Sequence, residues 1–157
     1  MALTYGLLSA RSLYEKLQRD AKALEEEVNS DRFFNFVLTG YSLIDWVKED
    51  PSVPQTAKTA VKDIHKDIHH EQWKWIKRCG DIAIASKHFT VKYRELITSS
   101  VTSEQGFGLA RYGRGGFGEG EERIEVTLTD GSSFDCFKLV DGVMNTWNNF
   151  FSSHGII

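Results

Sequence analysis

The stretch "SDRFFNFVLTGYSLIDWVKED", residues 30–50, constrains the fold more than any other. Phe33, Phe34, Phe36, Val37, Leu38, Tyr41, Leu43, Ile44, Trp46 and Val47 leave almost no side of a helix polar. A helix of that kind cannot face water on most of its surface and has to be enclosed by other elements. Ser30 is the predicted N-cap. The same helix carries Asp31, Asn35, Thr39, Ser42 and Asp45, which fall along one narrow stripe at ~100° per residue. Part of that stripe can face solvent. Any buried part must be hydrogen-bonded, because an unpaired polar group in a core is destabilising.

The flanking sequence supplies the enclosure. Around residues 7–28, Leu13, Leu17, Ala21, Leu24 and Val28 recur at steps of three and four, with Glu25, Glu26 and Glu27 on the outer side, which predicts an amphipathic helix. Two prolines in "EDPSVP" break the chain after the central helix. A third helix, roughly 55–70, turns Ala57, Val61, Ile64 and Ile68 inward, and a fourth, roughly 71–86, does the same with Trp73, Ile76, Cys79 and Ala83. Residues 89–103, rich in Thr, Val and Ser, read as a strand or an irregular crossing. The glycine-rich segment 106–120 reads as a loop. "RIEVTLTDGSSFDCF" alternates on both sides of Asp130-Gly131 and predicts a β-hairpin over 123–138. Leu139, Val140, Val143, Met144, Trp147, Phe150 and Phe151 form one face of a closing helix over 139–153, which Gly142 weakens. The expected architecture is mainly α: a bundle of four to five helices with a small antiparallel β-hairpin addition. One domain is expected over residues 1–157, with a helical core at about 5–88.

Composition narrows the function. The formal charge of −3 argues against broad electrostatic binding of nucleic acid. Cys79 and Cys136 are too few for a disulfide framework and read as free thiols of a reducing compartment. The N-terminal residues lack the pattern of a signal peptide, and no apolar run approaches the ~20 residues of a membrane span. The expectation is a cytoplasmic protein without membrane contact. No cofactor and no metal site is expected.

The segment "RCGDIAIASKHF" holds the main candidates for chemistry. Arg78, Asp81, Ala85 and His88 share a face if the fourth helix persists. Asp81 can then pair with Arg78 and orient His88, with Lys87 at the helix C-terminus where the dipole favours a cation. One reading is a polar network that fixes the packing of two helices. The other is a site in which His88, backed by Asp81 and Lys87, acts as a general base. Ser86 points about 100° away from its neighbours and makes no catalytic pair with His88.

Taken together, "DRFFNFVLTGYSLIDW" and "CGDIAIASKHF" resemble a family of small bacterial and phage proteins whose core looks like the HEPN-type helical bundle. Phe33, Phe34, Asn35, Asp45, Trp46, Cys79, Asp81, Ile82, Ala83, Ser86, Lys87, His88 and Phe89 match the family's motifs; Gly80 and Ile84 stand where the pattern has Arg and Asn. The resemblance implies a helical fold, a prokaryotic conflict or defence setting and, for many such bundles, RNA cleavage. The usual ribonuclease signature, an Arg followed by His after four to six residues, is missing, since nine residues separate Arg78 from His88.

Three further features are candidates for binding. Lys58, Lys62 and Lys66 run along one side of the third helix and could meet phosphate or an acidic partner. His65 and His69, four apart, could share a metal, but no third ligand is evident, and Asp63 and Asp67 beside them point to a solvated face. Arg111, Tyr112, Arg114 and Phe117 in the glycine-rich loop are residue types that anchor interfaces. The preferred reading is a non-enzymatic module that binds protein or RNA. The alternative is a metal-independent ribonuclease using His88 with Lys87 and Asp81. A homodimer is compatible with either.

Overall fold

A computed structural model of the chain describes residues 5–62, 64, 70–88, 90–92, 94–106, 108–109, 111–113 and 121–157. Among the described residues, five helices and a three-stranded antiparallel sheet make up the fold. The helices are α1 (Ala10–Glu26), α2 (Ser30–Glu49), α3 (Gln55–Lys62), α4 (Lys74–Lys87) and α5 (Cys136–Ser153). A single 3₁₀ turn, Glu71–Trp73, leads into α4. The strands are β1 (Thr98–Glu104), β2 (Arg123–Leu128) and β3 (Ser133–Asp135), in the order β1-β2-β3. The mainly α fold with a small β addition is therefore as expected. The segment left open as strand or crossing supplies a third strand, β1, ahead of the hairpin.

α2 lies at the centre. It packs against α1, α3, α4 and α5, and buries Phe33, Phe36, Val37, Leu43, Ile44 and Val47. The inward faces of α1 and α5 are buried as the periodicity requires: Leu13, Leu17, Ala21 and Leu24 on one, Leu139, Val140, Val143, Trp147, Phe150 and Phe151 on the other. Trp147 anchors the junction by donating its indole N–H to the Gly40 carbonyl at 2.9 Å. Gly142 is in mid-helix because Trp75 lies against it; a Cβ there would run into the Trp75 ring.

α1, α4 and α5 each start three residues from the expected position, and α3 ends at Lys62 rather than near residue 70, with residues 63 and 65–69 outside the described ones. Asn29, not Ser30, caps α2: its backbone is extended and its side chain accepts from the Arg32 N–H. Ser30 instead donates its N–H and hydroxyl to Glu122. α1 starts at Ala10, behind a Ser9–Ser12 capping box, and Asp50 takes the Ala10 N–H at 2.7 Å. α5 starts at Cys136, because Asp135 accepts from the Phe137 N–H and caps the helix as soon as β3 ends. The loop between β2 and β3 spans residues 129–132, and Asp130 holds it by accepting the Ser132 N–H and hydroxyl.

The polar stripe of α2 divides as its chemistry demands. Asp31, Asn35 and Asp45 are exposed, and Ser42 is half-buried. Thr39 is buried, and its hydroxyl exchanges hydrogen bonds with Lys16, Asp20 and the Asn35 carbonyl.

Candidate functional site: a clamp at Asp81 and an overhanging strand

Asp81 is the centre of the polar network, with only 2% of its side chain exposed. One carboxylate oxygen accepts from Lys77 Nζ at 3.2 Å and Arg94 Nε at 2.7 Å. The other accepts the backbone N–H groups of Ile97 at 2.8 Å and Thr98 at 3.0 Å. Both oxygens are thus fully occupied, and none of the carboxylate's roughly four lone-pair positions is left to take a substrate proton. Lys77 also donates to the Glu95 carbonyl at 2.6 Å. Burial pushes the Lys77 pKa down, against the pull of Asp81. Burial also works against the charge of Arg94, but its hydrogen bonds to Asp81 and Tyr41 outweigh this and hold its pKa above the usual range.

Gly80 makes this arrangement possible. A Cβ at residue 80 would lie 2.5 Å from the Tyr41 ring and 2.9 Å from Arg94 Nη2. Arg94 therefore occupies the space that a side chain at position 80 would fill. A guanidinium thus reaches Asp81 from thirteen residues later in the chain.

The expected pairing of Asp81 with Arg78 and His88 is not formed. Arg78 lies over the Trp75 ring at 4.5 Å and near Phe134 at 5.6 Å, so its guanidinium stacks rather than pairs. Its Nε is buried with no hydrogen-bond partner among the described residues. Burial lowers the Arg78 pKa, with Asp130 and Glu71 acting in the opposite sense. His88 is the exposed C-cap of α4, in extended conformation. Seven residues at ~1.5 Å each put it about two helical turns from Asp81, beyond hydrogen-bond reach. Lys87 is exposed at the last helical position, and the Ser86 hydroxyl bonds back to the Ile82 carbonyl at 2.8 Å. The four residues considered for chemistry thus occupy three separate environments.

The loop residues are divided as well. Tyr112 is fully exposed. Arg111 is drawn into the fold: it forms a two-pronged ion pair with the buried Glu121, donates to the Glu25 carbonyl at 2.8 Å, and lies 4.7 Å over Phe137. A cation at the C-terminal carbonyls of α1 is favoured by the helix dipole. Arg111 is therefore a structural tie, contrary to its expected role as a free binding residue. Arg114 and Phe117 lie outside the described residues. So do Lys66, His65 and His69. Lys58 is half-buried and Lys62 exposed on α3. Among the described residues, no three His, Cys, Asp or Glu side chains are gathered as a metal would require. Both thiols are free and buried, and burial raises the Cys79 pKa and pushes that of Cys136 up to about 12.

What the Asp81 clamp does is launch β1. By holding the amides of Ile97 and Thr98, it fixes where the strand leaves α4. From there β1 runs off the helical layer. Residues directly opposite in an antiparallel pair project to the same face. Val101 stands opposite Val126, and Ser103 opposite Ile124. Val126 and Ile124 are buried at 0% and 1%, whereas Val101 is 37% exposed and Ser103 is exposed. α5 packs on β2, and α4 meets β1 where Asp81 holds Thr98; past that residue β1 is exposed. Between β1 and the last turns of α4 lies a groove of about 280 Å³, lined by Ile82, Ala85, Ser86, Leu96 and Val101 among others. Among the described residues the far edge of β1 pairs with no strand, and past Thr98 every residue of β1 is exposed. No motif announced this surface; a run of Thr, Ser and Val beside an unassigned crossing was its only trace.

Comparison with known protein families finds no match to this chain, and searches of curated proteins and of solved structures find none either. Among the described residues no helix is long and apolar enough to cross a membrane.

Proposed function

We propose that this chain is a non-enzymatic binding module that acts by contact with protein, through the open edge of β1 and the groove beside it. On its motif resemblance we assign it a HEPN-like core and a prokaryotic or phage conflict setting. The observation that carries the reading is the overhang of β1: past Thr98 its residues are exposed, and among the described residues its outer edge pairs with no strand. Exposed sheet edges are templates for an incoming strand, with main-chain hydrogen bonds supplying affinity and side-chain pockets supplying selectivity. Protein is favoured over RNA because Glu104 is the one charged residue of β1 and the formal charge of the chain is −3. The ribonuclease alternative needs Asp81 beside His88, and the partners of Asp81 lie elsewhere.

Two measurements test this. Incubation with mixed cellular RNA is expected to leave the RNA intact for the parent protein and for His88→Ala alike. Cleavage by the parent that the variant loses would overturn the assignment. In affinity capture from cell lysate, Val101→Lys is expected to lose proteins that the parent and a Lys58→Ala/Lys62→Ala variant both retain. Equal capture by all three would remove β1 from consideration.

A further inference from the structure

We infer that the occupant of the β1 edge is a second copy of this chain, paired antiparallel through β1 itself. The inference rests on the reading of that edge as the contact surface and names its partner. β1 reads Thr-Ser-Ser-Val-Thr-Ser-Glu from Thr98 to Glu104. Edge strands that remain single are usually blunted by lysine, proline or an inward charge. Thr98–Ser103 carries no lysine, proline or charge, and the irregularity in its pairing with β2, of the bulge kind that also blunts edges, lies between Thr98 and Ser100 and leaves Val101–Ser103 regular.

The sequence is self-complementary in one orientation. A two-fold axis at Val101 sets this valine against its own copy. Ser100 then faces Thr102, Ser99 faces Ser103, and Thr98 faces Glu104. Ser100 against Thr102 and the central β-branched pair are favourable cross-strand neighbours, while the Ser99 and Ser103 hydroxyls keep their bonds to β2 and Glu122. The two Glu104 carboxylates are carried to opposite ends of the ladder, about 20 Å apart at ~3.3 Å per residue. Parallel pairing would stack them on adjacent strands, ~4.8 Å apart, so the charge on this edge selects the antiparallel arrangement. The product is a closed six-stranded sheet of order β3-β2-β1-β1-β2-β3, whose outer edges are the three-residue β3 strands. Val101 exchanges its partial exposure for contact with its copy, and the groove beside α4 is sealed from one side. A seven-residue edge is a small interface, so the dimer forms in the micromolar range or weaker.

Sedimentation velocity from micromolar to near-millimolar concentration is the first test. The parent is expected to pass from monomer to dimer, and Val101→Lys to stay monomeric at every concentration. Val101→Glu should also stay monomeric, while an equimolar mixture of the Lys and Glu variants regains the dimer, because the two charges meet at the axis. Melting curves confirm that both variants are folded; the partial exposure of Val101 makes a charge tolerable there. Val101→Cys should form a covalent dimer under mild oxidation, with Cys79 and Cys136 silent because both are buried. A parent protein that stays monomeric throughout would overturn the inference, as would a Lys variant that dimerises like the parent or a mixture that stays monomeric. The outcomes also separate this inference from the reading beneath it. A monomeric parent whose capture of other proteins is lost in Val101→Lys would sink the dimer and leave the edge as a binding surface. Dimerisation and capture both insensitive to residue 101 would sink both.

Discussion

A carboxylate that accepts four hydrogen bonds and has almost no exposure cannot be removed without consequence. In Asp81→Ala, Lys77 would remain buried without its counter-charge and two backbone amides would lose their acceptor. Breaking a buried pair from one side costs about 3–5 kcal/mol. We expect the urea midpoint of Asp81→Ala to fall by several times the change seen for the exposed Glu49→Ala; equal shifts would mean that the clamp contributes nothing. Gly142 offers a test of opposite sign to intuition. In an exposed helix, Gly→Ala stabilises by about 1 kcal/mol. Here the new methyl would meet the Trp75 ring, so Gly142→Ala should destabilise by about 1–3 kcal/mol, as overpacked sites do. A gain in melting temperature would show that Trp75 swings aside freely. The importance of Asp81 was legible in the sequence, since a carboxylate among apolar residues of an inward-facing helix needs partners. Which partners was not. Arg94 is fourteen positions from residue 80, and nothing local marks it as the filler of the space that Gly80 leaves open.

At the scale of elements, the five helices follow from periodicity, because each buries a stripe that repeats every three or four residues. β1 does not, because a strand that hangs beyond its cover has no alternation to read: past Thr98 its residues are all exposed. The same limit applies to Arg111. Its position in a glycine-rich stretch points to freedom, whereas its partners are Glu121 at the far end of that stretch and the last carbonyls of α1, which no local pattern joins to it. Arg111→Ala removes a two-pronged charged hydrogen bond and the cover of the α1 carbonyls, a loss of about 1–3 kcal/mol. Hydrogen exchange should show it first as faster exchange in the last turn of α1. Uniform exchange rates across α1 in parent and variant would contradict the role given to this side chain.

For the whole molecule, pH tests how far distant segments are tied by carboxylates. Burial alone would raise the pKa of Asp50, but hydrogen bonds from Ser52 and from the Ala10 N–H, with Lys58 nearby, hold it below the usual range. Hydrogen bonds from Ser103 and Ser30 do the same for Glu122. A carboxylate with a depressed folded-state pKa gives stability that is present above the unfolded value, about 4, and lost as pH falls through the folded value. Urea midpoints should therefore be level above about pH 5 and fall below about pH 4. Asp50→Asn should flatten part of that fall. An identical pH profile would mean that the bond between the start of α1 and the end of α2 adds nothing.

The join between α4 and α5 has an optical consequence. Of the four tryptophans, Trp73, Trp75 and Trp147 belong to this seam, and Trp147 is wholly shielded from water. Indole emission moves to longer wavelength when the ring meets water. The native protein should accordingly emit at short wavelength. Trp75, lying under the Arg78 guanidinium and against Gly142, should contribute a separate and more quenchable component. Exchanging Trp75 for Phe removes that component and leaves the emission of Trp46, Trp73 and Trp147, of which the contacting Trp73–Trp147 pair responds to the parting of the last helix from the rest of the bundle.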